Sequence, residues 1–230
     1  MAAPARPAGT RVLVAAGSGR YGDPWHPLAA TARIIAETLT GDGCAVTVTD
    51  DVDGALTRLH GVDLLVVDAA DPWRNGETGV GAAPGAREGL AEALGRGIGV
   101  LSIHNSVSSL RDYPEWRAAI GGEWMPGRSW HPPLGRSEVT RVDDDHEITR
   151  GLAPFALVDE LYTDLVVDDD VRVLLAHARD GVAHPLLWTR EHLASRVVVS
   201  ALGHDERSFA SEEHRTVLVR AARWAAAAGT

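Results

Sequence analysis

The sequence predicts an α/β domain on a mainly parallel sheet with helices covering both faces. Three observations lead there. Strand and helix patterns alternate through the first hundred residues. The strand segments are continuous apolar, β-branched runs, which suit strands buried on both faces. The connections are too short for anything but right-handed β-α-β crossovers.

Thr10 to Ala16 (TRVLVAA) is the first such run. Pro27 opens a helix in which Leu28, Ala32, Ile35 and Leu39 recur at helical spacing, and Gly41 and Gly43 close it. Ala45 to Thr49 is the second strand, Asp53 to His60 a short helix and Asp63 to Asp68 the third strand. A Gly/Pro-rich loop from Ala69 to Gly85 precedes a helix from Arg87 to Gly95 and a fourth strand from Ile98 to Ile103.

The second half is less regular. Glu115 to Met125 reads as a short apolar helix holding Trp116, Ile120 and Trp124, and Gly127 to Gly135 as an irregular Trp/His/Pro loop. Ser137 to Val142 alternates like an exposed edge strand, and Val171–Ala176, Pro185–Thr189 and Arg196–Leu202 lie at hairpin-like spacing. Glu212 to Ala227 closes the chain as an amphipathic helix. Residues 1–9 read as a disordered Ala/Pro-rich tail and 10–230 as a single domain.

Composition excludes several functions. The net charge of -10 argues against nucleic acid and anionic membrane surfaces as partners. All 22 basic residues are arginine, so lysine Schiff-base chemistry, pyridoxal phosphate and a lysine-bearing phosphate loop are ruled out. Cys44 is the single cysteine, which forbids an internal disulfide and a cysteine zinc cluster. No signal-peptide or membrane-span pattern is present, so a cytoplasmic protein is expected, with homo-oligomerisation only at its base rate.

Ligands in open α/β sheets bind beyond the carboxyl ends of the strands. His26, His104 and His204 follow strands, His131 lies in the WHPP loop and Glu160 in DELY. Such a set suits acid–base chemistry or a divalent metal. His60, His177, His184, His192 and His214 read as surface or capping residues, and His146 as part of a turn and helix start. Trp25 and Trp130, beside His26 and His131, offer indole faces for a sugar ring, whereas Trp116, Trp188 and Trp224 read as core. Gly17–Gly22 carries the letters of a dinucleotide fingerprint, but Pro24 and Pro27 delay the helix the phosphates would need, so no nicotinamide cofactor is favoured and a mobile loop over a pocket fits better. Ser106 and Ser108 lack a G-x-S-x-G elbow.

The stretches RVLVAAG, GIGVLSIHNS, IGGEWMPGRSWHPP, DDDHEITRGL, VDELY, PLLWTRE, RVVVSALGHD and RAARWAA run in one order over most of the chain. In that order they resemble the ThuA-like (trehalose utilisation) proteins, of the class I glutamine amidotransferase-like superfamily. The resemblance implies a flavodoxin-like three-layer sandwich and a role in bacterial sugar catabolism, on a sugar, disaccharide or keto-sugar. It puts the pocket on His26, His104, His131, Glu160 and His204, with Asp205 beside the last. The chain departs from the family pattern at Trp25-His26-Pro27, where Tyr-His-Asp is common, and at Asn105, where serine is common. Amidotransferases of this fold carry a cysteine nucleophile in the turn where this chain has His104, so a thiol mechanism is not expected.

The residue set expected to act is therefore His104, Glu160 and His204 as catalysts, with Trp25, His26, Asn105, Arg128, His131, Tyr162 and Asp205 binding a small carbohydrate. A zinc-like metal would sit on His104, His131, Glu160 and His204. A non-catalytic carbohydrate-binding or sensing domain on the same fold is the rival reading.

Overall fold

The computed structural model describes residues 9–75 and 81–227. The tail expected over 1–9 lies outside the described residues apart from Gly9, as does part of the 69–85 loop.

Strand β1 (Arg11–Ala16) leads to α1 (Leu28–Gly41), β2 (Ala45–Thr49), α2 (Val52–Leu56), β3 (Leu64–Asp68), α3 (Ala86–Arg96) and β4 (Gly99–Ile103). There follow α4 (Pro114–Ile120), β5 (Gly122–Glu123), β6 (Gly135–Arg141), β7 (Phe155–Asp159), β8 (Val166–Val167), β9 (Arg172–Arg179), β10 (Val182–His192), β11 (Ser195–Ser200) and α5 (Glu212–Ala226). Single 3-10 turns lie at Gly19–Tyr21, Pro72–Asn75, His104–Val107 and Ser208–Ala210.

The main sheet has nine strands in the order β2-β1-β3-β4-β11-β10-β9-β6-β7. Helices α1 and α5 pack together against it, and α2, α3 and α4 form a second contiguous set. One apolar core runs through these layers, from Val12 and Leu65 to Trp188 and Val198.

The sheet is mixed, which corrects the expectation of a mainly parallel one. From β2 to β11 the pairs are parallel, and from β11 to β7 they are antiparallel. The reason is loop length. Strands β9 and β10 are joined through Asp180-Gly181, and β10 and β11 through Leu193-Ala194. Asp180, Gly181 and Leu193 have positive φ, as tight hairpins demand. A two-residue link can only reverse the chain.

Other expectations are corrected as well. Strand β6 is not an edge: it lies between β9 and β7, and the edge is β7, whose short FALVD segment the sequence reading passed over. Helix α4 stops at Gly121 in the left-handed conformation, so Trp124 lies beyond it, past β5. His146 sits in a turn with no helix after it. His177, His184 and His214 are buried rather than on the surface. The Gly17–Gly22 segment is anchored: Arg20 donates to Asp53 and Asp112, and the buried Tyr21 hydroxyl donates to Asp53 at 2.7 Å. A Cβ at Gly17 would meet the Tyr21 carbonyl at 2.2 Å, so this turn requires glycine.

At the end of β3, Asp68 is buried, with the Thr31 hydroxyl donating to it at 2.6 Å. Burial pushes its carboxyl from 3.8 up to about 7. The folded chain therefore holds the proton more tightly than the unfolded chain. Stability is highest below about pH 4 from this group and falls as pH rises to about 7, by about 4 kcal/mol at roughly 1.4 kcal/mol per unit. Asp68→Asn is expected to remove that slope and raise the melting temperature at pH 8. Urea titrations of both proteins at pH 5 and 8 check it.

Candidate metal centre and active site

The carboxyl ends of β1, β4 and β11 open at one edge of the parallel half of the sheet. His26 lies on the connection after β1, His104 directly after β4 and His204 four residues after β11. Glu160 directly follows β7, from the antiparallel half. One ligand atom from each of His26, His104, Glu160 and His204 lies within 4.8 Å of all the others. The His26 ring centroid is 5.2 Å from that of His104 and 4.8 Å from that of His204.

Each side chain is aimed by a second group. Asp23 accepts from the Trp25 and His26 amides at 2.9 and 2.8 Å, and its other oxygen takes His26 Nδ1 at 2.7 Å. His104 Nδ1 donates to the Ala201 carbonyl at 2.9 Å. Both contacts put a proton on Nδ1, so each ring would meet a metal through Nε2. Both Nε2 atoms are buried without a protein partner. Carboxylate- or carbonyl-oriented imidazoles with a bare nitrogen are the usual support of metal-bound histidine.

Below the cluster, Asp159 ties two strand ends together. It accepts from the Gly203 amide at 2.8 Å, the His204 amide at 3.1 Å, the Glu160 amide at 2.8 Å and the Ser208 hydroxyl at 2.6 Å. The buried His214 Nδ1 lies 3.0 Å from the same hydroxyl. One carboxylate thus sets the positions of Glu160 and His204.

His104 has φ of +42°, in the left-handed region. A side chain there costs about 1–2 kcal/mol, and such strain is found at functional positions. His104→Gly is expected to be more stable than His104→Ala by about 1 kcal/mol, since only glycine adopts this φ freely. Thermal melts of the two variants under one buffer check it.

Electrostatics fit a ligand set. Burial, reinforced by the nearby His26, holds the His104 imidazole well below its ordinary range, so it is neutral at pH 7. Burial also opposes charge on His204, but Glu160, 3.1 Å from its Nδ1, outweighs it and raises His204. For Glu160 burial pushes up, and His204 and the other histidines pull it below the ordinary value. Three imidazoles and one carboxylate are a donor set suited to zinc and its neighbours.

The remaining expected residues take different places. The closest-set cluster includes His26, with His131 beside it. His131 Nε2 is 3.6 Å from Glu160, at a half-exposed position, and its Nδ1 faces the Pro132 carbonyl. The Tyr162 ring lies 4.3 Å from His104. Burial keeps the Tyr162 hydroxyl protonated. Asn105 is buried, and neither amide atom has a partner among the described residues. Trp25 is 58% exposed and joins His26, His204 and Asp205 around a cleft of about 600 Å³. Asp205 is held by Arg207. Arg128 is exposed, and no hydrogen bond or ion pair joins its side chain to the cluster among the described residues. Trp130 lies apart, its Nε1 donating to Asp164 at 2.8 Å. Ser106 is structural, donating to the Val67 carbonyl and accepting from the Ala69 amide.

Sequence reasoning missed Asp23, Asp159, Trp124 and Arg74. Trp124 packs 4.7 Å from Tyr162 and 5.9 Å from His131. The Arg74 guanidinium lies 5.7 Å from the Trp25 ring centre and 6.0 Å from that of Trp124. The Asp23-Pro24 step, a turn signal three residues before His26, was the readable clue to Asp23.

The turn after the central strand β4 carries a strained residue, at φ +42°, in a fold similar to that of glutamine amidotransferases. Here that residue is an imidazole. Cys44 immediately precedes β2, at the opposite end of the parallel strands. A glutamine amidotransferase of Thermotoga maritima superposes with a TM-score of 0.52 at 12% identity, over 84% of this chain and 75% of its own. Two ThuA-like proteins are nearer. That of Parabacteroides merdae has a TM-score of 0.77 at 18% identity, over 96% of this chain and 90% of its own. That of Bacteroides uniformis has 0.75 at 17% identity, over 97% and 95%. The family model for trehalose utilisation, ThuA, matches residues 11–225, and the chain belongs to that family. No curated protein matches the sequence. No helix among the described residues is long and apolar enough to cross a membrane.

Proposed function

We propose that this ThuA-family chain is a cytoplasmic enzyme of sugar catabolism. Its substrate is a sugar, disaccharide or keto-sugar, and its site is built on a divalent cation held by His26, His104, Glu160 and His204. The observation that carries the reading is the pair of bare, buried Nε2 atoms on His26 and His104, each ring fixed from its far side. Two orphaned acceptors facing the same small volume are costly unless a cation or donor satisfies them.

When bound, a zinc-class ion supplies a Lewis acid that polarises a carbonyl or acidifies a hydroxyl. The chain's own groups do the rest. His131, beside Glu160 and open to solvent, carries protons between the site and water. The protonated Tyr162 hydroxyl is a hydrogen-bond donor, and the Asn105 amide supplies a donor and an acceptor for sugar hydroxyls. Trp124 and Trp25 give apolar faces to the C–H surface of a ring. Isomerisation or hydrolysis of a keto-glycoside suits this equipment.

The test is turnover and binding of keto-sugars by the wild type and His131→Ala, each loaded with zinc or manganese. Lost turnover with retained sugar binding and retained metal supports the enzyme. Sugar binding without turnover in the wild type favours a sensing domain on the same fold.

A further inference from the structure

We infer that the sugar taken by this site carries a carboxylate, which docks on Arg74. The inference rests on the sugar-site reading above and narrows its substrate class.

Arg74 lies in the turn Pro72–Asn75 at the end of an aromatic wall. The wall runs from His104 to Tyr162 at 4.3 Å, from Tyr162 to Trp124 at 4.7 Å, and on to the guanidinium over Trp124 and Trp25. Arg74 is thus the basic group at the far end of the aromatic wall that starts at the cluster. Three other arginines, Arg111, Arg20 and Arg207, are paired with carboxylates, whereas Arg128 is exposed and, among the described residues, unjoined to the cluster. Arg111 pairs with Asp71 at 3.1 Å, Arg20 with Asp53 and Asp112 at 3.0 and 3.1 Å, and Arg207 with Asp205. Among the described residues no carboxylate lies within ion-pair distance of Arg74. In a chain with ten more acidic than basic residues, a guanidinium that pairs with no carboxylate among the described residues is a feature to explain.

The chemistry selects the anion. A guanidinium offers two parallel N–H donors that match the two oxygens of a carboxylate. Cation–π contact with the Trp25 and Trp124 rings, at 5.7 and 6.0 Å, uses none of those donors. A phosphate ester, with more charge and three terminal oxygens, ordinarily gathers several donors or a helix N-terminus. Arg74 is a single guanidinium at this end of the wall among the described residues, which favours the monoanion.

The experiment is calorimetric titration of the full-length protein with D-glucuronate, D-glucose and glucose 6-phosphate, using the wild type, Arg74→Gln and Arg74→Lys. The wild type is expected to bind glucuronate at least about tenfold more tightly than glucose, because charge-assisted pairs are the stronger ones. Arg74→Gln should bring the two to parity with an unchanged melting temperature, and Arg74→Lys should recover part of the preference. Equal binding of glucose and glucuronate by the wild type overturns the inference and leaves the sugar site standing. Preference for glucose 6-phosphate that Arg74→Gln removes overturns the carboxylate in favour of a phosphate ester. Failure of all three to bind overturns both this inference and the sugar-site reading.

Discussion

Replacing His104 with alanine is expected to lower the zinc affinity of the proposed cation site at least about 100-fold. The cluster offers four ligands, and His104 is the one with most invested in its position. Its backbone is strained at φ +42°, its Nδ1 is fixed by the Ala201 carbonyl, and its Nε2 has no other partner. Its neutral state at pH 7 means that no proton competes with the metal. Asp23→Asn is the graded control. It leaves all four ligands in place and removes the carboxylate that fixes the His26 ring, so a loss of about 10- to 100-fold is expected. Competition titration with a zinc chelator measures both. An unchanged affinity in His104→Ala would mean that any bound ion sits elsewhere.

The second large effect is on folding. Asp159→Ala is expected to destabilise the protein by about 3–5 kcal/mol, because it strands several buried donors at once. The Gly203, His204 and Glu160 amides and the Ser208 hydroxyl all lose their acceptor. The carboxyl already carries a cost, since burial raises it from 3.8 to about 6. Removing it forfeits what that cost supports. Asp159→Asn should fall between, because the amide keeps one oxygen acceptor but turns an NH2 toward donors on its other side. Urea unfolding at pH 7 gives the ordering, and an alanine variant as stable as the wild type would contradict this account of the contact.

Much of the site was legible because strand ends are legible. IGVLSI and RVVVS are unmistakable buried strands, so the residues following them, His104 and His204, could be placed at one sheet edge from the sequence. Glu160 was found through the DELY stretch, although its support by Asp159 was not. What the sequence left open was decided by tertiary geometry. His26 and His131 both lie in irregular loops, and nothing in their spacing tells which ring turns inward. An Asx turn at Asp23 places His26 in the cluster, while His131 sits at its rim, with Nδ1 on the Pro132 carbonyl and Nε2 3.6 Å from Glu160. Trp124 was assigned to a helix that Gly121 ends early. The hairpin strands β9 to β11 were legible from their spacing, but the edge strand was obscured because β7 is five residues long with only alternate positions buried, a weak signal beside the solid apolar runs of the parallel half. Arg74 gives no signal in sequence, since a lone arginine after a tryptophan has no periodicity to read.

The most direct measurement is a crystal structure of the zinc-loaded protein with anomalous scattering recorded at the zinc edge. The account predicts one peak per chain, bonded to His26 Nε2, His104 Nε2, His204 and Glu160, with His131 unbound. No peak at that position, or a peak held by His131 in place of His26, would contradict it.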